Sequence, residues 1–363
     1  MKKKAFLITV LSITILLGFL SGCVAPPEKT VGNSQEAGLS DSSGNSENGS
    51  MTDEKMTAIS EPDSIDGTET GALDSGNETG TSGLGPIIRG VSDDYENREN
   101  FSIKKIRVGA FNVQVFGISK ASDPEVMDTL AKIIRTYDVI AIQEIRDKSQ
   151  TALLELVELV NTDGVRYSYI VSERLGRTSS KEQYAYIYDC SSVRPVGKAL
   201  TYPEPDGTDP FHRDPYIASF ETLEGDFDFT LITVHTDPDE ATGEINALAD
   251  VAAYAREIYP DEDDFMVMGD FNADGSYFDE NGNSSLSTET YSWLINNSAD
   301  TTTKASNCTY DRIVISDSTM SEFTGTSGVF RYDLEYNLSY NETIAVSDHY
   351  PVYGEFWCKE ESA

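Results

Sequence analysis

The stretch Phe265-Met266-Val267-Met268-Gly269-Asp270-Phe271-Asn272-Ala273, residues 265–273, joins a short apolar run to a polar turn. Consecutive apolar residues that end at a glycine are typical of a strand buried on both faces. Asp270 and Asn272 follow where such a strand leaves the core. The stretch therefore predicts a buried strand whose carboxyl end carries side chains able to ligate metal or move protons.

Similar runs recur along the chain and predict further strands. They cover residues 106–113, 138–145, 184–188, 227–234, 312–315 and 350–356. Between them, Asp123 and Pro124 form a capped helix start followed by apolar residues at helical spacing. Further helices are expected at residues 151–160, 240–258 and 288–296. Strands that alternate with helices, together with strands in direct succession, predict one α/β (α+β) domain over residues 101–358 with more than one sheet.

Polar residues stand at the ends of four more of these strands. They are Asn112, Gln143-Glu144, His235 and Asp348-His349. Each alone could be ordinary turn or cap chemistry, since Asp, Asn and Gln bond to nearby backbone. Five such junctions in one domain, with that of residues 268–272, favour a shared functional site.

The chain has only three histidines. His235 and His349 both fall at strand ends beside carboxylates, so they could serve the attacking water and the leaving oxygen of one displacement. His212, beside Arg213, is interpreted as incidental. The hard oxygen ligands of the set favour Mg²⁺, Ca²⁺ or Mn²⁺, and no Cys/His spacing indicates a zinc site. These ligands are Glu144, Asp270, Asn272 and Asp348.

The amino-terminal residues predict export. Three lysines precede an apolar run at residues 5–20 that ends in Leu20-Ser21-Gly22-Cys23. Residues 1–22 are predicted to be a signal peptide, and the last four residues resemble the lipobox at which a lipoprotein is cleaved and acylated, here on Cys23. An ordinary signal with a chance cysteine is the alternative. Residues 23–100, rich in Ser, Gly, Asn and Glu, are predicted to be a disordered tether.

The charge and the cysteines limit the interpretation. The chain carries a net charge of −35, and the part from Phe101 onward has 20 basic and 46 acidic residues, a net charge of −26. Such a surface repels a polyanion unless divalent cations and local arginines intervene, although it fits life at high salt or a merely soluble protein equally well. Of four cysteines, Cys190, Cys308 and Cys358 remain after the anchor, and their pairing stays open.

Several strings occur in a fixed order and carry a family resemblance. They are Asn112 with Phe116-Gly117, Gln143-Glu144, Gly269-Asp270-Phe271-Asn272-Ala273, Tyr310-Asp311-Arg312-Ile313-Val314 and Ser347-Asp348-His349-Tyr350-Pro351-Val352. In this order they resemble the endonuclease/exonuclease/phosphatase superfamily, and residues 171–177, 298–302 and 307–308 are similar to its deoxyribonuclease I family. The resemblance covers essentially the whole domain. It implies a four-layered α/β sandwich, with two packed sheets flanked by helices, that hydrolyses phosphodiesters to leave 5′-phosphate ends.

The resemblance also implies residue roles. Glu144 would hold the catalytic Mg²⁺ or Mn²⁺, aided by Asn112, Asp270, Asn272 and Asp348. His235, oriented by Glu182, would be the general acid, and His349, paired with Asp311, the base. Asp270 counts among the catalytic residues as well. The substrate-binding residues would be Arg146, Arg213, Asn272 and Tyr310.

Other positions match the family in part or depart from it. Two structural Ca²⁺ loops match partly, one at Asp300, Thr302 and Ser306, the other at Asp206, Asp209, Phe211 and Asp214. Gln114 stands where the family has a groove-reading arginine, Ser179 or Ser180 where it has a minor-groove tyrosine, and Gly275 where it has the disulfide partner of Cys308. These departures imply a weaker grip on the minor groove and leave the preference for duplex or single-stranded DNA open.

Three functional hypotheses follow. The first is an exported DNA endonuclease, lipid-anchored on the outer face of the cell membrane or extracellular, with DNA as its partner and no obligate protein partner. The second keeps the chemistry but takes RNA, a phosphoinositide or sphingomyelin as substrate. The third is a catalytically silent surface binding module, which is disfavoured because every expected ligand and both histidines are present.

Overall fold

A computed structural model describes residues 104–358. The strands in this part of the chain are β1 (Lys105–Phe116), β2 (Val139–Ile145), β3 (Tyr167–Val171), β4 (Gln183–Asp189), β5 (Val193–Thr201), β6 (Tyr216–Thr222), β7 (Asp228–His235), β8 (Phe265–Asp270), β9 (Tyr291–Trp293), β10 (Asp311–Ser316), β11 (Phe323–Val329) and β12 (Val352–Trp357). The α-helices are α1 (Ile118–Ala121), α2 (Pro124–Ile134), α3 (Ala152–Val160), α4 (Ala241–Ile258), α5 (Tyr332–Glu335) and α6 (Tyr340–Val346). All of these residues belong to one of the two units into which the chain divides, and the other, Pro26–Asn100, lies outside the described residues.

The strands form two mixed six-stranded sheets. Sheet I has the order β11-β12-β1-β2-β4-β3, and sheet II has the order β5-β6-β7-β8-β10-β9. Side chains such as Val108, Tyr186, Phe229 and Met268 fill the core between the two sheets. Because β1, β2, β7 and β8 are almost entirely buried, their sequences are continuous apolar runs rather than alternating ones.

Helices cover the outer face of each sheet. Apolar side chains of α2 and α3, such as Leu130 and Leu156, pack on sheet I. Those of α4, such as Ile245 and Leu248, pack on sheet II. Asp123 caps α2 as predicted, because its carboxylate accepts hydrogen bonds from the backbone amides of Glu125 and Val126. Two packed sheets flanked by helices confirm the predicted four-layered α/β sandwich.

The strand register brings polar strand ends together. In sheet II, β7 and β8 are parallel with His235 opposite Asp270, and antiparallel β10 places Asp311 on the other side of Asp270. In sheet I, parallel β1 and β2 place Asn112 opposite Gln143, next to Glu144. Parallel strands that end at one edge of a sheet carry their polar ends to the same place, which the sequence pattern anticipated.

One predicted helix is wrong, and several elements were not predicted. Residues 288–296 do not form a helix; Tyr291–Trp293 is the edge strand β9, paired with β10. Thr, Tyr and Trp favour a pleated strand, and Trp293 packs against Phe271 and Phe278. The patterns also missed β3, β5, β6 and β11. Edge strand β5 contains Pro195 and Gly197, which weaken a strand pattern, and the missed helices α1, α5 and α6 span at most two turns.

Buried carboxyl groups at the far end of sheet II make stability depend on pH. Burial, reinforced by Asp228 and Asp264, raises the pKa of Glu262 to about 8, and burial with Glu322 and Asp228 raises that of Asp264 to about 6. A carboxyl whose pKa is higher in the folded state contributes stability below its unfolded pKa, and this contribution is lost as pH rises through the folded pKa. We therefore expect the midpoint of thermal unfolding to fall as the pH rises from about 4.5, the ordinary pKa of a glutamate, to about 8, the raised pKa of Glu262.

Glu262→Gln provides the test of this pH dependence. The amide can still accept the hydrogen bond that Glu262 Oε1 receives from the backbone amide of Asp264, at 2.6 Å. The variant should match the wild type near pH 5 and unfold at a higher temperature than the wild type near pH 9. Equal unfolding temperatures of the two proteins at both pH values would contradict the assignment.

Candidate active site

One asparagine joins the two sheets at their polar end. Asn112 Nδ2 donates to Asp270 Oδ2 of sheet II at 2.9 Å and to Glu144 Oε1 of sheet I at 3.2 Å. Asn112, Glu144 and Asp270 are all buried. Two carboxylates that converge on one amide donor form an oxygen-rich group at the centre of the cluster.

Two histidines form matching pairs with carboxylates on either side of Asp270. His235 Nδ1 lies 2.8 Å from Glu182 Oε1, and His349 Nδ1 lies 2.7 Å from Asp311 Oδ2. The Nε2 atom of each histidine lies 3.5 Å from Asp270 Oδ2. Because each Nδ1 is held by its own carboxylate, both Nε2 atoms face the same central position.

The surrounding charges shift the protonation of these groups. Burial lowers the pKa of His349, but Asp311 and Asp270 outweigh it and raise the value to about 10. For His235, Glu182 and Asp270 likewise outweigh burial and raise the pKa. Burial opposes ionisation of Asp270, yet the two histidines hold its pKa below the usual range. The cluster therefore favours the protonated form of both imidazoles and the ionised form of Asp270.

The two orienting carboxylates differ in their surroundings. Glu182 is fully buried, and its pKa is lowered because His235, Arg213 and Arg146 outweigh the effect of burial. Arg213 Nε lies 3.3 Å and Arg146 Nη2 lies 3.7 Å from Glu182 Oε2. Burial raises the pKa of Asp311 despite the attraction of His349. The His235 pair therefore has local support from arginines that the His349 pair lacks.

Unusual backbone conformations orient the side chains of the cluster. Glu144 has φ +60°, and a bulge in β1 gives Val115 φ +52°. The bulge allows the backbone amide of Val115 to donate to Glu144 Oε2 at 2.8 Å. Gly269, at φ +139°, leaves no room for a Cβ, which would lie 2.0 Å from the carbonyl oxygen of Val234. Strain of about 1–3 kcal/mol per residue in such regions is concentrated at functional sites.

The donor set fits a hard divalent cation. Glu144 and Asp270 converge on Asn112, and Asp270, Asp311 and His349 each offer an atom within 4.8 Å of the others. Asp311 already orients His349, which leaves the oxygens of Glu144 and Asp270 as the donors that could hold a cation. Asn112 turns Nδ2 toward these two carboxylates, and its Oδ1 accepts from the backbone amide of Gln114 at 2.9 Å. Carboxylate and amide oxygens are the ligands that Mg²⁺, Mn²⁺ and Ca²⁺ prefer.

The two remaining expected ligands have other partners. Asn272 Nδ2 donates to the carbonyl of Thr236 at 3.0 Å, and the backbone amide of Asn272 donates to Asp270 Oδ1 at 3.0 Å. Asp348 Oδ2 accepts from Gln114 Nε2 and from Lys304 Nζ, each at 2.8 Å. Asn272 thus positions Asp270, and Asp348 lies at the edge of the cluster.

The expected substrate-binding residues surround the histidines. Arg146 is partly exposed, and its Nη1 donates to Ser180 Oγ at 3.1 Å. Arg213 is largely buried behind His235, where its Nη1 donates to the His235 carbonyl at 2.9 Å. The Tyr310 ring is tilted against His349 with centroids 6.3 Å apart. Arg146 and Tyr310 therefore lie on the open side of the cluster, and Arg213 on its buried side.

The first candidate calcium loop has converging oxygen atoms. Asp300 Oδ1 accepts from the Thr302 backbone amide at 3.0 Å and from Thr302 Oγ1 at 2.8 Å, and Thr302 Oγ1 also bonds to the Ser306 carbonyl. Thr302 in turn forms a backbone bridge with His349. The loop is therefore fastened to the strand end that carries a catalytic candidate.

The second candidate calcium loop is arranged differently. Asp206 is exposed on a turn, Phe211 is buried, and Asp209 Oδ1 accepts from Arg177 Nε at 2.9 Å. The sequence pattern missed Glu204, whose pKa rises to about 7 through burial and the nearby carboxylates of Asp214 and Asp209. The structure thus gathers Glu204, Asp209 and Asp214.

The pattern also missed two lysines and a serine beside the cluster. Lys120 Nζ donates to the carbonyls of Val113 and Val346, at 3.1 and 2.7 Å, and Lys304 reaches Asp348. Ser347 Oγ donates to the Asn112 carbonyl at 2.6 Å and accepts from the His349 backbone amide at 3.1 Å. Only Ser347 had a sequence signal, because it precedes the Asp348-His349 junction directly.

Other predictions are tested in part or lie outside the described residues. Cys308 and Cys358 are free thiols, so these two do not pair with each other. No helix among residues 104–358 combines the length and the apolar content that a membrane span requires. The predicted signal peptide, Cys23 and the tether of residues 23–100 lie outside the described residues.

Comparison with known proteins identifies relatives. The family model described as "Endonuclease/Exonuclease/phosphatase family" matches residues 109–349. Deoxyribonuclease-1 of Bos taurus is 37% identical over 259 residues, which cover 68% of this chain and 90% of that protein. Deoxyribonuclease gamma of Rattus norvegicus is 38% identical over 258 residues, covering 68% of this chain and 83% of that protein.

A solved structure shares the fold. An endonuclease/exonuclease/phosphatase family protein from Bacteroides thetaiotaomicron superposes with a TM-score of 0.50 at 15% identity, covering 70% of this chain and 97% of that chain. At this identity the similarity supports the architecture alone.

Proposed function

The chain belongs to the endonuclease/exonuclease/phosphatase family as a deoxyribonuclease I-like hydrolytic nuclease, and from this premise we propose that it is a divalent-metal-dependent DNA endonuclease using histidine acid–base catalysis. One observation carries the proposal. Two histidine–carboxylate pairs direct their Nε2 atoms at one carboxylate, 3.5 Å from each. Two proton carriers on opposite sides of one position suit a displacement at phosphorus, in which one oxygen attacks and another leaves.

Each histidine has a separate proton to move. His349, held by Asp311, accepts the proton of the attacking water at Nε2. His235, held by Glu182, donates a proton from Nε2 to the leaving 3′ oxygen, so that the product keeps a 5′-phosphate. The carboxylates fix which nitrogen is available and stabilise the charged rings.

The carboxylate cluster suits a catalytic cation. A Mg²⁺ or Mn²⁺ ion held by Glu144, Asp270 and Asn112 would offset charge on the phosphoryl oxygens and favour the neutral form of His349 that a base requires. Asn272 contributes by holding Asp270, and Asp348 lies beside His349, its Oδ1 3.8 Å from His349 Nε2.

The substrate contacts must overcome the acidic surface. Arg146 and Tyr310 lie on the open side, where a guanidinium and a phenol can bind phosphate. Arg213 supports Glu182 and His235 from behind. With Gln114 and either Ser179 or Ser180 in place of groove-reading side chains, binding should depend on phosphate contacts and therefore weaken steeply with salt.

DNA is the proposed substrate because the relatives with the quoted identities are named deoxyribonucleases. We further propose that residues 1–22 direct export, that Cys23 carries a lipid anchor to the outer face of the membrane, and that residues 23–100 tether the nuclease domain of residues 101–358. In this proposal the loops at Asp300 and Asp209 bind structural Ca²⁺.

Nicking of supercoiled plasmid tests the function. The full chain should convert the plasmid to nicked circles with Mg²⁺ and Ca²⁺, and excess chelator should stop the reaction. End labelling with polynucleotide kinase should require prior phosphatase treatment, since the product carries 5′-phosphates. If the folded protein leaves plasmid intact at every salt concentration but hydrolyses RNA, phosphoinositide or sphingomyelin in parallel reactions, the DNA assignment is wrong.

A further inference from the structure

Asp348 has a lysine partner. Its Oδ2 accepts from Lys304 Nζ at 2.8 Å and from Gln114 Nε2 at 2.8 Å, while its Oδ1 lies 3.8 Å from His349 Nε2. Glu144 Oε1 and Asp270 Oδ2 instead share the neutral amide of Asn112, while Glu144 Oε2 lies 3.3 Å from Arg146 Nη2. The cluster therefore has two carboxylate oxygens that converge without a lysine contact, and a third carboxylate, Asp348, that is paired with an ammonium group.

The loop that carries Lys304 is fastened on both sides of Asp348. The Thr303 backbone amide donates to the Asp348 carbonyl at 2.9 Å, and Thr303 Oγ1 donates to the Ser347 carbonyl at 2.8 Å. Thr302 bridges to His349. These hydrogen bonds hold the loop in place, so that Lys304 lies next to Asp348.

We propose that Lys304 is the resident counter-cation of Asp348, so that the site takes one divalent ion, at Asn112, Glu144 and Asp270, while the ammonium supplies the second positive charge beside His349. This inference rests on the proposed function, because it concerns how that site is charged. The lysine is 55% exposed, and an exposed ion pair contributes little to folding stability. Folding stability alone gives little reason for the pair, whereas its position beside the proposed base gives a direct one.

Competition at a single oxygen provides the physical basis. Lys304 and Gln114 already occupy Asp348 Oδ2, so a divalent ion there would have to displace the ammonium and would be repelled by it. Lys120 adds to this effect, because its charge also interacts with Asp348 and Glu144. Removing the charge of Lys304 should therefore open Asp348 to a second ion.

Binding of Mn²⁺ alone to the full chain tests the inference without measuring activity. Isothermal titration and the loss of the free Mn²⁺ resonance give the number of ions that the wild type binds, which counts the candidate calcium loops together with the cluster. Lys304→Ala should bind one Mn²⁺ more than the wild type, at a step whose affinity is higher on the order of tenfold because a charge a few ångströms away is gone. Lys304→Arg should behave like the wild type.

Lys132→Ala is the matched control, because Lys132 forms an exposed pair with Asp128 at 2.7 Å on α2, away from the cluster. It should leave the titration unchanged. No bound ion in the wild type, or identical titrations for the wild type and Lys304→Ala, would overturn the inference. One additional ion in Lys304→Ala, combined with intact plasmid in the nicking assay, would support it and count against the proposed DNA substrate instead.

Discussion

Replacing His349 with alanine is expected to slow plasmid nicking on the order of 10³-fold, and His235→Ala should have a similar effect, since positioned general acids and bases typically contribute 10²- to 10⁴-fold. Each imidazole is held through Nδ1 by a carboxylate and presents Nε2 to Asp270. Alanine removes the proton carrier and leaves that carboxylate buried without its partner. The measurement is the initial rate of nicking at saturating Mg²⁺.

Controls separate chemistry from folding. His349→Gln keeps a donor for Asp311 but cannot carry a proton at neutral pH, so it should fold like the wild type and remain as slow as His349→Ala. His212→Ala is a matched substitution, because the His212 ring pairs with Asp237 and lies outside the catalytic pairs. It should retain activity within a few-fold of the wild type. A folded His349→Gln that nicks at the wild-type rate would remove His349 from the mechanism.

The double variant tests whether the histidines serve one step. If His349 and His235 act on the same displacement, His235→Ala/His349→Ala should be less impaired than the product of the two single effects, as residues that act as a unit are not additive. Full multiplicativity would indicate separate steps.

The strand ends that form the site were predictable because buried strands have a distinct sequence pattern. Four strands that run through the middle of the sandwich, β1, β2, β7 and β8, are apolar over most of their length and turn polar at one end. Parallel pairing then places those ends at the same edge. The prediction needed only the apolar runs and the observation that a polar residue follows each of them where the buried strand ends.

The partners of the histidines were beyond pattern alone. Glu182 directly precedes β4, beside Lys181, and has the sequence signal of a solvated residue, yet it is fully buried. Its role was accessible only through family resemblance. Asp311 was accessible in the same way, since its position opposite Asp270 depends on the antiparallel register of β8 and β10.

Edge elements and surface charges were the least predictable. An edge strand such as β9 buries little, so Tyr291–Trp293 carries no periodic signal that separates it from a helix. Lys304 lies in a stretch whose composition is that of an ordinary exposed loop. The residues next to it in the sequence give no indication of a contact with Asp348. Contacts that depend on a loop path between distant residues appear only in three dimensions.

Asp270→Asn is expected to have the largest effect of any single substitution in the cluster. Asp270 Oδ2 accepts from Asn112 and faces both histidines, and Oδ1 accepts from the backbone amide of Asn272. Asparagine keeps the size but removes the negative charge that helps hold both imidazoles and the proposed cation. Its Nδ2 would also place an N–H donor opposite the N–H donors of Asn112 and the two histidines. Loss of several kcal/mol of charge stabilisation together with disturbed proton transfer predicts a decrease in nicking on the order of 10⁴-fold or more.

Two further measurements separate this prediction from general damage to the fold. Mn²⁺ binding to Asp270→Asn should be weaker than to the wild type, the opposite of the change expected for Lys304→Ala. Asp228→Asn, an exposed acidic residue at the other end of the same sheet, should keep wild-type nicking and Mn²⁺ binding. If a folded Asp270→Asn protein nicks plasmid within tenfold of the wild type, Asp270 cannot be the shared centre of the two histidine pairs, and the catalytic position must lie nearer Glu144.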